Sequence, residues 1–234
     1  MAHTAYKWYI SPSSQDGNGW GDYLEEVYCN EIADILIPIL ERHGQICKRN
    51  DPKNIYSDHR KESNLWGADY HLPIHTNASG SHNARGMSVR CANPADKTKA
   101  STIFAQHVYD ELAKVVPNPR GLVQDNFDEI VNTNAPCAYL EILFHDQTDD
   151  QKFLLENKEK IAIAIAKGCL NTVGIVYDRV DEIRPMYRVQ IGAFRNREYA
   201  DAFLAKVNKV LAEENARQGK VIFPTAYIPK PTME

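Results

Sequence analysis

The sequence predicts an α/β fold: a largely parallel sheet flanked by helices on both faces, followed by a small C-terminal β-α-β module. Three observations carry that expectation. Short apolar runs at 7–10, 70–76, 87–91 and 137–144 are bounded by clusters of Gly, Ser, Asn and Pro, and they alternate with stretches of helical periodicity, the pattern of βαβ units. Several of these runs meet a polar, ligand-capable residue: Ser11 to Gln15 after the first, His75 in the second, Glu141 in the last. With 234 residues and 43% hydrophobic content, the chain can bury one good core and carry an appendage.

The elements read in order as follows. Residues 7–10 form a first strand, and 11–21, dense in Ser, Gly, Asn and Asp, form a loop. From Glu25, the spacing of Ile32, Leu36, Ile39 and Leu40 predicts a helix that His43-Gly44 stops, with a kink near Pro38. A short strand at 46–48 and a helix at 58–67 precede the His75 strand. After the 80–86 loop come a strand at 87–91 and a helix at 98–116 with Ile103, His107, Leu112 and Val115 inward. Residues 121–136 read as loop with a short strand near 129–131, leading into a buried strand at 137–144 and one long helix at 149–171. A linker at 174–185 ends the domain. Beyond it the sequence predicts a strand at 187–191, a turn at Gly192-Ala193-Phe194, a helix at 199–211 capped by Asn196, and a last strand at 221–228.

Composition narrows the classes. Residues 1–7 lack the apolar stretch of a secretion signal, and no apolar run approaches the roughly 20 residues that span a bilayer. The expectation is a cytoplasmically made protein with neither membrane nor nucleic acid as partner. Five cysteines, Cys29, Cys47, Cys91, Cys137 and Cys169, show no CxxC spacing, which argues against a disulfide framework and a zinc knuckle and for reduced, mostly buried thiols. The net charge of −4 is uneven: from Arg184 onward nine Lys/Arg face five Asp/Glu, leaving 18 against 26 in the rest. An acidic body with a basic tail points to an anionic surface or to plain solvation of a short module.

Gln15, Glu25 and His75, if they converge at the carboxyl edge of one sheet where α/β folds bind ligands, offer an amide oxygen, a carboxylate and an imidazole to one divalent ion. Three protein ligands and an open position describe a hydrolytic zinc site, with Glu141 as general base. The alternatives are a core histidine at His75 and, for Glu25, an acid that merely complements a helix N-terminus. Glu141 differs, since an unpaired charge inside the apolar 138–144 run is costly and a metal or cation must be near. His82 is either an exposed loop residue or an auxiliary ligand. His145 shares the expected strand face with Glu141 and could tune it, whereas His107 lies on an apolar helix face.

Taken in order, these stretches resemble the zinc-dependent N-acetylmuramoyl-L-alanine amidases, a peptidoglycan amidase family that includes phage endolysins. The resemblance covers roughly 9–176. It rests on 25–33 with Leu36 and Leu40, Arg60 with Asn64 and Ala68-Asp69, Ile74-His75-Thr76-Asn77, Gly86-Met87-Ser88-Val89, and Ala135-Pro136 leading to Leu140-Glu141 and Phe144. It implies zinc ligation by His75 and Glu25 and a catalytic role for Glu141. The first-ligand histidine of a DPGHG-like loop is absent. The loop here reads Ser11-Pro12-Ser13-Ser14-Gln15-Asp16-Gly17-Asn18, as in one branch of the family, which makes Gln15 the replacement candidate. Leu143 stands where a glycine commonly follows the catalytic glutamate.

The stretch 186–202 resembles the opening of a SPOR domain, a peptidoglycan-binding module, although only half of one follows. The missing half would come from a second copy, giving a homodimer; alternatively the segment is a docking unit without a ligand. Together these readings imply a catalytic domain at 1–176, a linker at 177–185 and a wall-binding module at 186–234. The implied function is a zinc amidase acting on bacterial peptidoglycan, in the manner of an endolysin that accumulates in the host cytoplasm and reaches the wall after release. The rivals are a catalytically silent wall-binding protein and a zinc peptidase on the stem peptide.

Overall fold

A computed structural model describes residues 4–178, apart from 16, 52–55, 94, 95, 97 and 98, together with residues 197–218. The chain divides into two units, Met1–Arg179 and Val180–Glu234. In the first unit the order is β1 (Lys7–Pro12), β2 (Gly19–Trp20), β3 (Tyr23–Leu24), α1 (Glu25–Arg42), β4 (Ile46–Arg49), α2 (Tyr56–Trp66), β5 (Tyr70–Asn77) and β6 (Met87–Ala92). Then come α3 (Ala100–Leu112), β7 (Pro119–Asp125), α4 (Asp128–Val131), β8 (Tyr139–Phe144), α5 (Thr148–Glu156) and α6 (Lys158–Thr172). In the second unit one helix is described, α7 (Arg197–Gln218), which contains the expected 199–211 helix. The expected strands at 187–191 and 221–228, the Asn196 cap and most of the linker lie outside the described residues. No helix among the described residues is long and apolar enough to cross a membrane.

Six strands form one sheet in the order β4-β1-β5-β8-β6-β7. All neighbours run parallel except β6 and β8, so the expected largely parallel α/β architecture is present. Because strand side chains alternate with period two, the sheet has two unlike faces. Trp8, Ile10, Leu72, Ile74, Val89, Cys91, Leu140 and Ile142 make an apolar face against α1, α3 and α6. Gly168 lets α6 approach α3, since a Cβ there would stand 2.5 Å from Val108 Cα. The opposite phase, Tyr9, Ser11, His71, His75, Ser88, Arg90, Tyr139 and Glu141, makes a polar face. Hydrogen bonds tie it to α2 and α4, from Tyr9 to Glu62 and from Ser11 to His59 and Glu129.

Two irregularities fix the central register. Pro73 has no N–H to donate, which is tolerated because it falls between the isolated His71–Cys137 bridge and the β5–β8 ladder that starts at Ile74 and Leu140. Further along, His75 pairs with Glu141 but Asn77 with Phe144, so β8 carries an extra residue. That bulge holds Leu143 at φ +61, fully buried. The left-handed conformation accounts for the glycine that the resemblance leads one to expect there.

Several expectations need correction. The expected 11–21 loop gives its end to a β2–β3 hairpin over 19–24, whose close turn leaves no room for a side chain on Gly19 (a Cβ would stand 1.9 Å from Tyr23 O). Residues 121–125, expected as loop, belong to β7, which pairs with β6 through Leu122 and Val123. The expected strand near 129–131 is the single turn α4, whose Glu129 points into the protein while Val131 is exposed. The long helix at 149–171 is two, because Asn157 leaves helical geometry and caps both sides: its Nδ2 donates to Phe153 O and its carbonyl accepts from Ile161 N. The inward face of α3 is set by Phe104, Val108 and Leu112, so Ile103 and Val115 are exposed and His107 is half-buried against Thr172. Pro38 lies inside α1, which continues to Arg42. All five cysteines are free thiols, four of them buried.

The strain at Leu143 is measurable. Glycine is normally less stable than alanine inside a strand, but a left-handed site costs an L-residue about 1–2 kcal/mol. Urea unfolding should therefore find Leu143→Gly more stable than Leu143→Ala by about 1 kcal/mol, with both below the parent because a buried leucine is lost.

Candidate active site

The polar face meets the N-terminus of α1 at one end of β5. Glu25 opens α1, its N–H donating to Asn18 O at 2.9 Å, and its carboxylate turns inward to 1% exposure. There Oε1 lies 2.9 Å from His75 Nδ1 and accepts from Thr76 N at 3.2 Å, while Oε2 accepts from Asn18 Nδ2. An acid that served only the helix dipole would stay in solvent; this one is drawn onto the β5 strand. Burial works to lower the pKa of His75, but the hydrogen bond and charge of Glu25, aided by Glu129 and Glu141, outweigh it and leave it raised. The imidazole plane is fixed by Tyr139, which stacks on it at 4.7 Å and 11°.

Glu141 sits beside His75 in the β5–β8 register and beside Ser88 in the β6–β8 register. Burial pushes its carboxyl up to about 7, with Glu25 and Asp125 adding to the rise and His75 and Arg90 opposing it. Arg90 Nε stands 3.5 Å from Glu141 Oε1. A carboxyl with this affinity can both take and return a proton near neutral pH.

Of the residues singled out in the sequence, Glu25, His75 and Glu141 thus share one end of the sheet. Gln15 is exposed and reaches Glu25 through an intermediary: its Oε1 accepts at 3.2 Å from the same Asn18 Nδ2 that donates to Glu25. His82 stacks on Trp20 at 5.3 Å, and its Nδ1 lies 3.0 Å from Asp146 O. His145 does not share a face with Glu141, because the bulge at Leu143 turns it to the other side of the sheet. There its Nδ1 is 2.9 Å from Thr76 Oγ1 and its ring stacks on Tyr23.

Sequence reasoning gave no part to Asn18, Arg90, Asp125, Tyr139 or a second buried cluster. In that cluster Ser11 Oγ donates to Glu129 Oε1 at 2.7 Å and His71 Nε2 lies 3.0 Å from the same oxygen. Burial alone would raise the Glu129 pKa, but His71, His75 and Ser11 overcome it and hold the carboxyl below its ordinary value. Strand phase was the available signal: His71, Arg90 and Tyr139 are polar or aromatic residues in the same alternating positions as His75 and Glu141.

His75 Nδ1 and Glu25 Oε1 are suited to a divalent cation. Neighbouring ligands of a tetrahedral zinc ion, bound at about 2.0–2.2 Å, lie roughly 3.3 Å apart, near the 2.9 Å spacing found. Among the described residues no group of three or more His, Cys, Asp or Glu is gathered to hold a metal, so a third protein ligand would be of another type; the amide beside Glu25 is that of Asn18, and an amide oxygen is a weaker ligand for zinc than imidazole. The donor set fits zinc on those terms.

A family model, Amidase_3, described as N-acetylmuramoyl-L-alanine amidase, matches residues 13–171. The chain belongs to this family. The match takes in Gln15, Glu25, His75 and Glu141 and stops short of the second unit. Among family relatives, the N-acetylmuramoyl-L-alanine amidase CwlM of Bacillus licheniformis is 30% identical over 145 residues, 62% of this chain and 54% of CwlM. The chain thus matches about half the length of that relative. Among solved structures, an N-acetylmuramoyl-L-alanine amidase from Clostridium difficile 630 aligns with TM-score 0.62 and 23% identity over 71% of this chain and 96% of that one. AmiC2 of Nostoc punctiforme aligns with TM-score 0.65 and 19% identity over 73% and 98%. Both carry the same fold.

The Glu129 cluster gives a pH-dependent contribution to stability. A carboxyl whose folded pKa lies below its ordinary 4.5 stabilises the fold above that value and loses the contribution as pH falls through the folded pKa. Glu129→Gln should cost about 1.5–3 kcal/mol at pH 7. The gap in melting midpoint between parent and variant should close as pH is lowered from 5 to about 3.

Proposed function

We propose that the chain is a zinc-dependent N-acetylmuramoyl-L-alanine amidase, hydrolysing the amide between the lactyl group of N-acetylmuramic acid and L-alanine in bacterial peptidoglycan. The observation that carries the reading is a buried carboxyl poised near neutrality, Glu141, beside the His75–Glu25 donor pair, in a chain of this family. Zinc held by His75, Glu25 and an amide oxygen of Gln15 or Asn18 would supply Lewis acidity to the scissile carbonyl. Glu141 takes the proton of the attacking water and delivers it to the leaving nitrogen of L-alanine, two transfers that a carboxyl with pKa about 7 can make in turn. Tyr139 keeps the His75 ring in plane, and the Thr76 N–H holds Glu25 in its rotamer.

The finer readings rest on the sequence alone. They are a catalytic domain at 1–176, a linker at 177–185, a SPOR-like glycan-binding module at 186–234 paired in a homodimer, and an endolysin setting with delivery from the host cytoplasm. The neutral third donor favours one rival, a wall-binding protein without turnover. Release of L-alanine amino groups from purified walls without new reducing sugars separates amidase from binder, and new amino termini within the stem peptide would mark a peptidase.

Glu141→Gln should keep its zinc and lose turnover by about 10²–10⁴-fold, whereas His75→Ala should lose zinc and activity together. Elemental analysis after mild chelation of Gln15→Ala and Asn18→Ala identifies the amide donor, since the variant lacking it should release zinc first.

A further inference from the structure

Arg90 is the one basic residue on the polar face of the described β6, between Val89 and Cys91, both fully buried. Its guanidinium is held from two directions. Nη1 lies 2.5 Å from Asp125 Oδ2, and Cζ stands 4.8 Å over the Phe127 ring. Phe127 in turn meets Tyr139 edge-on at 5.2 Å, and Tyr139 is the ring stacked on His75. Its Nε is buried without a hydrogen-bond partner and lies 3.5 Å from Glu141 Oε1. A buried N–H that stands beside a carboxylate without bonding it is a costly arrangement unless it serves that carboxylate.

We infer that Arg90 is a positioning residue for Glu141. Anchored by Asp125 and Phe127, its Nε–H fixes the rotamer from which the Glu141 carboxylate faces the reacting water. Arginine suits the role because its planar fork can bond Asp125 with one edge and present Nε along another, which a lysine ammonium cannot do. The inference rests on Glu141 being the general base of the proposed amidase, and it adds Arg90, Asp125 and Phe127 to the residues on which turnover depends.

The test compares Arg90→Ala, Arg90→Lys, Asp125→Asn and Glu141→Gln for kcat and KM on a soluble muropeptide, for zinc content and melting midpoint, and for the Glu141 conformation in crystals. Arg90→Ala should lose about 10–10²-fold in kcat, the cost of a misplaced group, with KM and zinc content unchanged. Arg90→Lys should recover part of the loss and Asp125→Asn should show a smaller one. In Arg90→Ala crystals Glu141 should occupy more than one rotamer. A kcat loss that is equal in the Ala and Lys variants and tracks a fall in melting midpoint overturns the inference, as does a rise in KM at constant kcat. A single, unchanged Glu141 rotamer in Arg90→Ala overturns it even in the absence of parental turnover. Full activity in Glu141→Gln removes the amidase reading itself; an inactive Glu141→Gln beside a fully active Arg90→Ala removes only the role of Arg90.

Discussion

The register of β5 against β8 is the constraint on which the site depends. It sets His75 beside Glu141, and it is held at both ends by departures from regular pairing, the missing N–H of Pro73 and the extra residue of the bulge at Leu143. Between them only a short ladder is regular. A slip of one residue would turn His75 and Glu141 onto the apolar face and bring Ile74, Leu140 and Ile142 onto the polar one. The hydrophobic pattern and the site are therefore specified by the same pairing.

Three buried carboxylates share the polar face: Glu25, Glu129 and Glu141 are 1%, 3% and 8% exposed. Like charges this deep repel and are poorly solvated. The structure separates them by giving each its own partner: His75 for Glu25, His71 and Ser11 for Glu129, and Arg90 at longer reach for Glu141. Glu141 has the least complete partnership, and it is the one whose carboxyl is pushed toward neutrality. The carboxylates with close hydrogen-bond partners hold the geometry, and the one whose partner stands farther off is the one free to exchange a proton. Packing of α1, α3 and α6 on the apolar face bears the cost of keeping such a cluster dry.

Much of this was legible in the sequence where the signal is local. Short apolar runs bounded by turn residues marked β1, β5, β6 and β8, helical spacing marked α1, and the anomalous charge at Glu141 marked a buried acid. What stayed hidden depends on partners distant in the chain. Ser11 and Glu129 are 118 positions apart and Arg90 and Asp125 35, so neither pair leaves a pattern in any window of sequence. The face of α3 was misjudged because Ile103 and Val115 are as apolar as the Phe104, Val108 and Leu112 stripe that packs. His145 was misplaced because counting by twos from Glu141 fails across a bulge that leucine, unlike glycine, does not announce. The family resemblance supplied His75, Glu25 and Glu141 together, but gave no sign that Asn18 stands between Gln15 and Glu25.

The two-faced sheet also limits how a lineage carrying it can change in length. An insertion or deletion of one residue in β5, upstream of His75, or in β8, upstream of Glu141, would exchange the apolar and polar phases of everything after it in that strand. Such a change would cost the core and the chemistry at once. Drift in chain length is thereby channelled into segments that cross neither face, such as residues 78–86 after β5, where added residues extend the rim without disturbing the β5–β8 alignment. Variation at the rim, with constancy at the centre, is what this division of the sheet favours.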